Sequence, residues 1–219
     1  MYRKVKMKHL LIIGARGWGR EVYQTIKKTP EVLNAEMEVK GFLDSKSDAF
    51  NGLRGSFPPI ICAPEDYNIQ VDDIFFVAMG DPHWRKYYAE MIEAKGGHFY
   101  TYISPDAYIV ETASIGEGSL ISGWCSVSDN VSIGKHVVLH PFSVIGHDAI
   151  VKDYGTLLTS SFLGGYTEVG ECSQMSPKSM IIPHKKIGNN VVVGAASVVI
   201  RNVKDGNTVY GNPAIKLKY

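Results

Sequence analysis

A histidine followed directly by an aspartate, His147-Asp148, is the pair best suited to acid–base chemistry in this sequence. A reaction in which an amine or a hydroxyl attacks an electrophile needs a base that removes its proton, and imidazole suits that task near neutral pH. A neighbouring carboxylate can orient the imidazole and stabilise its protonated form. We therefore consider His147 a candidate general base with Asp148 as its partner. The alternative is a solvated polar corner without a catalytic role.

Two further histidines, His136 and His140, lie close by in sequence. Histidines from neighbouring chains that converge at an interface could hold zinc. Such sites use a His-x4-His pair with a distant third histidine, whereas the gaps here are three and six residues. The sequence therefore predicts no metal, and it places His136 on the surface.

A glycine-rich string, Gly14-Ala15-Arg16-Gly17-Trp18-Gly19, follows the apolar run Leu10 to Ile13. Its glycines would let backbone amides approach a phosphate at the start of a helix. Asp44, at the end of the next apolar run, could accept hydrogen bonds from ribose or base hydroxyls. A nucleotide sugar fits this half, with NAD as the second possibility. A tight turn that binds no ligand is the structural alternative.

The elements that must position these residues differ between the two halves of the chain. Residues 1–100 read as strand–helix–strand, with strands at Leu10 to Ile13, Val39 to Leu43 and Ile74 to Met79. Helices are expected from about Arg20 to Lys28, and from a cap at Asp81 to about Lys95. The pattern predicts a small α/β, Rossmann-like unit of three or four parallel strands.

The second half, residues 101–219, has a strict period of six. An aliphatic residue or methionine occupies seventeen consecutive sixth positions, and four residues after each the side chain is mostly small. The seventeen are Ile103, Ile109, Ile115, Ile121, Val127, Ile133, Leu139, Ile145, Val151, Leu157, Leu163, Val169, Met175, Ile181, Ile187, Val193 and Val199.

A six-residue period fits neither an α-helix nor a hairpin and indicates a β-solenoid. Three hexads would close one triangular coil, so residues eighteen apart would stack. His147 lies two residues after its aliphatic position, where a side chain can project from the prism. Lys185 departs from the small-residue rule, which predicts a corner or loop there.

Composition excludes several classes of function. The chain has 219 residues and a formal net charge of +1, so it offers no electrostatic attraction to nucleic acid or to an acidic membrane. Its three scattered cysteines argue against a disulfide framework and fit a reducing compartment. The apolar run after the basic start is too short for a signal peptide or a membrane span. A cytoplasmic protein is expected.

Both halves together resemble the nucleotide-sugar acetyltransferases of bacterial glycan pathways, which are grouped with the sialic-acid O-acetyltransferase family. Besides the hexads, the resemblance rests on short motifs that span nearly the whole chain. They are the string 14–19, Phe42-Leu43-Asp44, Ala78-Met79-Gly80-Asp81, Ile145-Gly146-His147-Asp148 and Val209-Tyr210-Gly211-Asn212-Pro213-Ala214. The resemblance implies that the solenoid is a left-handed parallel β-helix and that the chains form homotrimers.

The same resemblance implies which residues contact the substrates. Acetyl-CoA would lie in a groove between neighbouring β-helices, against Thr156, Gly165, Pro177, Gly194 and Ala195. The nucleotide sugar would be held by Gly14, Arg16, Gly17, Trp18, Gly19, Asp44, Gly80 and Asp81, with His140 lining the acceptor pocket. Gly165 lies eighteen residues after His147, so its amide could stabilise an oxyanion. Phe142, Phe162 and Tyr166 are expected near prism corners as further contacts with acetyl-CoA.

The leading hypothesis is therefore an acetyl-CoA-dependent N-acyltransferase that acts on the amino group of a nucleotide-linked sugar. Transfer to a sugar hydroxyl is the second hypothesis. A non-catalytic trimeric scaffold that binds sugar nucleotides is the third.

Overall fold

The computed structural model describes residues 7–217. The chain divides between Tyr100 and Thr101 into two compact units. The first is an α/β unit and the second is a β-solenoid.

The α/β unit is built around a parallel sheet with strand order β3-β2-β1-β4. Chain order is β1 (Lys8–Ile13), α1 (Gly17–Ile26), α2 (Pro30–Leu33), β2 (Met37–Leu43), β3 (Ile60–Cys62), a 3₁₀ turn (Pro64–Asp66), β4 (Asp73–Val77) and α3 (Pro82–Ala94). The chain moves outward from β1 to β3 and then returns to the other side of β1. That reversal between β1 and β4 is the place where open α/β sheets bind ligands.

The sequence predicted β1, α1, β2, β4 and α3 with shifted boundaries, and it assigned no range to β3 or to the 3₁₀ turn. The first helix starts three residues earlier than expected, at Gly17, and the third predicted strand ends at Val77 rather than at Met79. The short helix α2, with a proline in its first turn, was not predicted. The cap at Asp81 is confirmed, since its side chain accepts hydrogen bonds from the backbone of His83 and Trp84.

The solenoid consists of very short strands, most of which pair in parallel with the strands eighteen residues away. They are β5 (Tyr102–Ile103), β6 (Tyr108–Ile109), β7 (Ser114–Ile115), β8 (Leu120–Ile121), β9 (Ser126–Val127), β10 (Ser132–Ile133), β11 (Val138–Leu139), β12 (Val144–Ile145), β13 (Ile150–Val151), β14 (Thr156–Leu157), β15 (Phe162–Leu163), β16 (Glu168–Val169), β17 (Gln174–Met175), β18 (Met180–Ile181), β19 (Lys186–Ile187), β20 (Val192–Val193), β21 (Val198–Val199), β22 (Thr208–Tyr210) and β23 (Ile215–Lys216). They form three sheets, the faces of a triangular prism. Among the strands within residues 7–217, β23 alone runs antiparallel to its neighbour.

The core of the prism is the stack of sixth-position residues. From Ile121 to Val199 each of them is at most 3 % exposed, which confirms the prediction for these positions. The prediction is wrong for Ile103, which is 44 % exposed, and Ile109 and Ile115 are only partly buried. The strands of these three residues end their sheets, so each has a neighbouring strand on one side only.

Each corner of the prism is turned by one residue in the left-handed conformation. Thirteen non-glycine residues, every sixth from Trp124 to Ala196, have φ between +53° and +64°. This region is sterically unfavourable for side chains other than glycine. The regular series includes His184, so the solenoid continues without a loop at the half-buried Lys185. Of the predicted corner or loop, the structure has a corner at residues 183–184, directly before Lys185.

Candidate active site

One edge of the prism carries the predicted catalytic pair. This His147 edge consists of residues 129–130, 147–148, 165–166 and 183–184, in which the second of each pair has positive φ. Backbone hydrogen bonds connect successive corners, from Asp148 N to Asp129 O at 3.0 Å and from Tyr166 N to His147 O at 2.9 Å. Side chains on this edge are therefore stacked in a column, one coil apart.

His147 and Asp148 form a hydrogen-bonded pair at the surface. Nδ1 of His147 lies 2.8 Å from Oδ2 of Asp148, and the histidine side chain is 57 % exposed. A carboxylate accepts only, so Nδ1 carries a proton in this contact, and Nε2 is the nitrogen left to take a proton from a substrate.

Asp148 is held from two further sides. Nδ2 of Asn130, one coil earlier, lies 2.7 Å from its Oδ1. The hydrogen bond from Asn130, followed by those from His147 and Tyr166, holds the pKa of the Asp148 carboxyl below its usual value. The Tyr166 ring also packs edge-on against His147, with 5.1 Å between centroids, and stacks on His184. Asp148 is thus an ionised and well-oriented partner for the imidazole.

Gly165 lies directly beside the imidazole. A Cβ atom built at this position would be 2.8 Å from Nε2 of His147. The Gly165 N–H donates to no acceptor within residues 7–217. Equivalent amides on another edge are occupied, since Lys135 N donates to Asp153 Oδ1 at 2.8 Å and Glu171 N donates to Asn189 Oδ1 at 2.9 Å. The amide of the first residue at a corner can therefore donate to a side-chain oxygen. At Gly165, beside His147, this donor has no acceptor among the described residues.

Most of the other solenoid residues predicted from the resemblance lie on or beside a second edge. Its corners are residues 123–124, 141–142, 159–160, 177–178 and 195–196, and the half-buried His140 directly precedes it. Pro177 and Ala195 are exposed there on successive coils. Gly194 precedes Ala195, and a Cβ atom at Gly194 would overlap the ring of Tyr210. The structure thus separates these residues from the His147 edge within one chain.

Two predicted contacts of acetyl-CoA differ from expectation. Thr156 lies on strand β14 and is only 3 % exposed, so its side chain is closed to a ligand. Phe162 lies on strand β15, on a face of the prism rather than at a corner. Phe142 and Tyr166 are exposed corner residues, as expected.

The expectation that His136 lies on the surface is wrong. Its side chain is fully buried, and its ring stacks on Tyr154 with 5.3 Å between centroids. His136, His140 and His147 belong to three different edges. Within the described part of the chain, no three His, Cys, Asp or Glu residues are grouped so that they could hold a metal ion.

The α/β unit has its own cleft, of about 440 Å³, at the carboxyl ends of its strands. Six predicted substrate residues line it: Gly14, Arg16, Trp18, Gly19, Asp44 and Gly80. Ser45, Pro64, Ala78, Met79, Trp84 and Tyr88 complete the wall. Gly17 and Asp81 do not line the cleft, because Gly17 begins α1 in open space and the Asp81 carboxylate caps α3.

Close backbone packing explains two of the glycines in this cleft. Gly14 has φ +100°, and a Cβ atom there would lie 2.9 Å from the carbonyl oxygen of Ala78. A Cβ atom at Gly19 would overlap the carbonyl of Gly14. The Asp44 carboxylate holds the same turn, since Oδ2 accepts from Ala15 N at 2.8 Å and Oδ1 accepts from Lys46 N at 2.9 Å. Asp44 therefore shapes the cleft as well as lining it.

Comparison with known proteins gives consistent matches to both units. The PglD N-terminal domain family matches residues 9–92, and the bacterial transferase hexapeptide family matches residues 112–147. GDP-perosamine N-acetyltransferase from Escherichia coli O157:H7 is 28 % identical over 149 residues, covering 66 % of this chain and 67 % of that protein. The acetyltransferase domain of PglB from Neisseria gonorrhoeae FA1090 is 26 % identical, with a TM-score of 0.81 over 96 % of this chain and 100 % of that one.

The chain is a homologue of the hexapeptide-repeat sugar acetyltransferases. The resemblance stated from the sequence is thereby confirmed, and so is the left-handed β-helix that it implied. A shorter match is to a Pseudomonas aeruginosa acyl-[acyl-carrier-protein]–UDP-N-acetylglucosamine O-acyltransferase. It is 28 % identical over 83 residues, covering 38 % of this chain and 32 % of that enzyme. None of the helices within residues 7–217 has the length and apolarity to cross a membrane.

Some residues at these sites were not predicted from the sequence. Asn130 lies eighteen residues before Asp148, so the hexad period alone could have placed it beside the carboxylate. Trp84 and Tyr88 reach the cleft from the first turns of α3, and no motif identified them.

Proposed function

We propose that the protein transfers the acetyl group of acetyl-CoA to the amino group of a nucleotide-linked sugar. The observation that carries this proposal is His147 with Nδ1 bound to Asp148 and Nε2 beside Gly165, whose N–H donates to no acceptor within residues 7–217. A base and an oxyanion donor at one point are what acyl transfer from a thioester requires. The relative from Escherichia coli is a GDP-perosamine N-acetyltransferase, which supports an amino sugar as acceptor.

In the proposed reaction, the amine nitrogen attacks the thioester carbonyl while Nε2 of His147 takes its proton. The carbonyl oxygen gains negative charge and accepts a hydrogen bond from Gly165 N–H. The C–S bond then breaks, and the proton passes to the departing CoA thiolate. Asp148 stabilises the imidazolium that exists between these two proton transfers.

We further propose a division of labour between the units and an active homotrimer. The cleft at the strand ends of the α/β unit would hold the nucleotide sugar, with its phosphates near the lining residues Gly14 and Gly19 of the glycine-rich turn. The edge with Pro177, Gly194 and Ala195 would bind acetyl-CoA. One of the PglB acetyltransferase structures, 25 % identical with a TM-score of 0.82, is a complex with acetyl coenzyme A. The separation of this edge from His147 supports a site shared between neighbouring chains.

The cytoplasm is the compartment we propose for this activity. The cysteines form no disulfide among the described residues, which suits a reducing environment.

The test is a panel of amino and hydroxy nucleotide sugars incubated with acetyl-CoA, followed by the release of free thiol. Turnover with an amino sugar and not with its hydroxy counterpart is expected. The His147→Ala variant should lose about two to four powers of ten in kcat, and Asp148→Asn should lose less. Preference for the hydroxy sugars would favour O-acylation, which the short match to an O-acyltransferase makes the second candidate. Binding without turnover would indicate a non-catalytic scaffold.

A further inference from the structure

Beyond the His147–Asp148 pair, we propose that Asn130 is a positioning residue of the active site. Its side-chain amide holds the Asp148 carboxylate in the direction that serves His147. This role deepens the proposed acyl transfer and rests on it.

The two oxygens of Asp148 have different partners. Oδ2 lies 2.8 Å from His147 Nδ1, and Oδ1 lies 2.7 Å from Asn130 Nδ2. Contacts on both oxygens fix the rotation of a carboxylate, whereas one contact alone would let it turn toward water. The Asp148 side chain is 28 % exposed, so solvent is available as the competing partner. Asn130 thus holds Oδ1, and the hydrogen bond from Tyr166 is a further restraint on the carboxylate.

The identity of the contacting atom follows from chemistry. An ionised carboxylate accepts hydrogen bonds only, so the asparagine must present its NH₂ group and not its carbonyl oxygen to Asp148. The donor is neutral, and it therefore orients Asp148 without cancelling the negative charge that stabilises a protonated imidazole. A lysine at this position would offer a donor but would compete with His147 for that charge.

Asn130 is itself held from the preceding coil. Its backbone N–H donates to Thr112 Oγ1 at 3.0 Å, and the Thr112 hydroxyl donates to Asp129 Oδ1 at 2.5 Å. Both Asn130 and Asp148 are corner residues with positive φ, at +54° and +58°. A ladder of hydrogen bonds therefore runs along the His147 edge, from Thr112 through Asn130 and Asp148 to the imidazole.

The chain offers a matched control at another corner. Asn190 is an exposed asparagine with φ +56° at the equivalent hexad position of a different edge. Replacing either asparagine by glycine removes the side chain and preserves the left-handed backbone, because glycine adopts it without steric cost. Asn130→Gly and Asn190→Gly therefore share their conformational effects and differ in the contact with Asp148.

The first experiment measures kcat and KM for Asn130→Gly, Asn130→Asp and Asn190→Gly in the full chain. Loss of the hydrogen bond to a charged acceptor should lower kcat about ten-fold in Asn130→Gly, with little change in KM for acetyl-CoA. Asn130→Asp should lose more, because it places a like charge beside Asp148. Asn190→Gly should match the wild type. Equal kcat values for Asn130→Gly and Asn190→Gly would overturn the proposal.

The second experiment repeats Asn130→Gly in an Asp148→Asn background. If Asn130 acts through the carboxylate, the second substitution should change kcat by less than about two-fold there. A full ten-fold loss in that background would mean that Asn130 acts elsewhere, and would also overturn the proposal.

A crystal structure of Asn130→Gly decides the question independently of turnover. The Asp148 carboxylate should leave His147 Nδ1, whereas an unchanged 2.8 Å contact would contradict the positioning role. Absence of acetyl transfer by the wild type to every acceptor would defeat the proposed function. The structural result on Asp148 would still support or overturn the role of Asn130.

Discussion

Gly165 lies so close to His147 that a Cβ atom at this position would be 2.8 Å from Nε2. The Gly165→Ala substitution should therefore push the imidazole aside, since a side-chain end moves more easily than backbone. We expect a fall in kcat of about ten- to a hundred-fold, equivalent to about 1.4–2.7 kcal/mol of transition-state stabilisation. Circular dichroism melting should remain close to that of the wild type.

The double variant His147→Ala/Gly165→Ala provides the control for that prediction. Once the imidazole is absent, the added methyl group has nothing to displace. A further large loss in the double variant would point to a direct effect on the Gly165 amide instead.

The Asp44→Ala substitution should weaken binding of the nucleotide sugar. Asp44 holds the backbone of the glycine-rich turn through Ala15 N and Lys46 N, and it lines the cleft. Removing a carboxylate that satisfies two backbone donors should raise KM for the nucleotide sugar about ten-fold. KM for acetyl-CoA should stay the same. An equal rise in both constants would contradict the proposed division between the units.

A shared active site predicts complementation between two inactive chains. His147→Ala removes the base, and Ala195→Trp should block the proposed acetyl-CoA edge. Co-expressed chains should regain part of the activity that each homotrimer lacks. Mixing must be proved by mass spectrometry, and mixed trimers without any activity would count against a site formed by two chains.

An ion-pair network on one face of the prism predicts a pH-dependent stability. Glu168 lies 2.7 Å from both Lys152 Nζ and Lys186 Nζ, and these contacts lower the pKa of its carboxyl below the usual 4.5. A lowered folded-state pKa contributes stability above the unfolded value, and this contribution is lost as the pH falls through the folded value.

The Glu168→Gln variant should accordingly be less stable at pH 7, by about 1 kcal/mol or less. The difference from the wild type should shrink as the pH falls below 4.5. Urea unfolding from pH 7 to pH 4 measures this, with the exposed Glu111→Gln as control. A difference independent of pH would mean that packing rather than charge is responsible.

The hexad pattern predicted the solenoid well because each sixth position is buried by the coils above and below it. The same logic failed for Ile103, since its strand ends its sheet. Stacking also predicted Gly165 beside His147, because residues eighteen apart lie on successive coils. It could not reveal that Thr156 is buried, since burial of an outward-facing residue depends on what covers the sheet.

In the α/β unit, residue types located the cleft but not its full wall. Gly14, Gly19 and Asp44 were recognisable because turn geometry and strand ends restrict which residues fit. Trp84 and Tyr88 were not, because their position depends on how α3 packs against β4, which no local pattern encodes. His136 was misplaced for a related reason, since a polar side chain at a corner can be covered by an aromatic neighbour such as Tyr154.

The corners of the prism are held by main-chain hydrogen bonds, such as those from Asp148 N to Asp129 O and from His184 N to Gly165 O. These bonds do not depend on side-chain identity, and residues as different as Trp124 and Lys178 occupy the same conformation. Natural variation can therefore exchange edge residues while the buried stack is preserved. Corner positions therefore repeat along each edge at intervals of about 4.8 Å, the spacing between paired strands. A reactive side chain that is moved by eighteen residues in the sequence is therefore moved by one coil along the same edge.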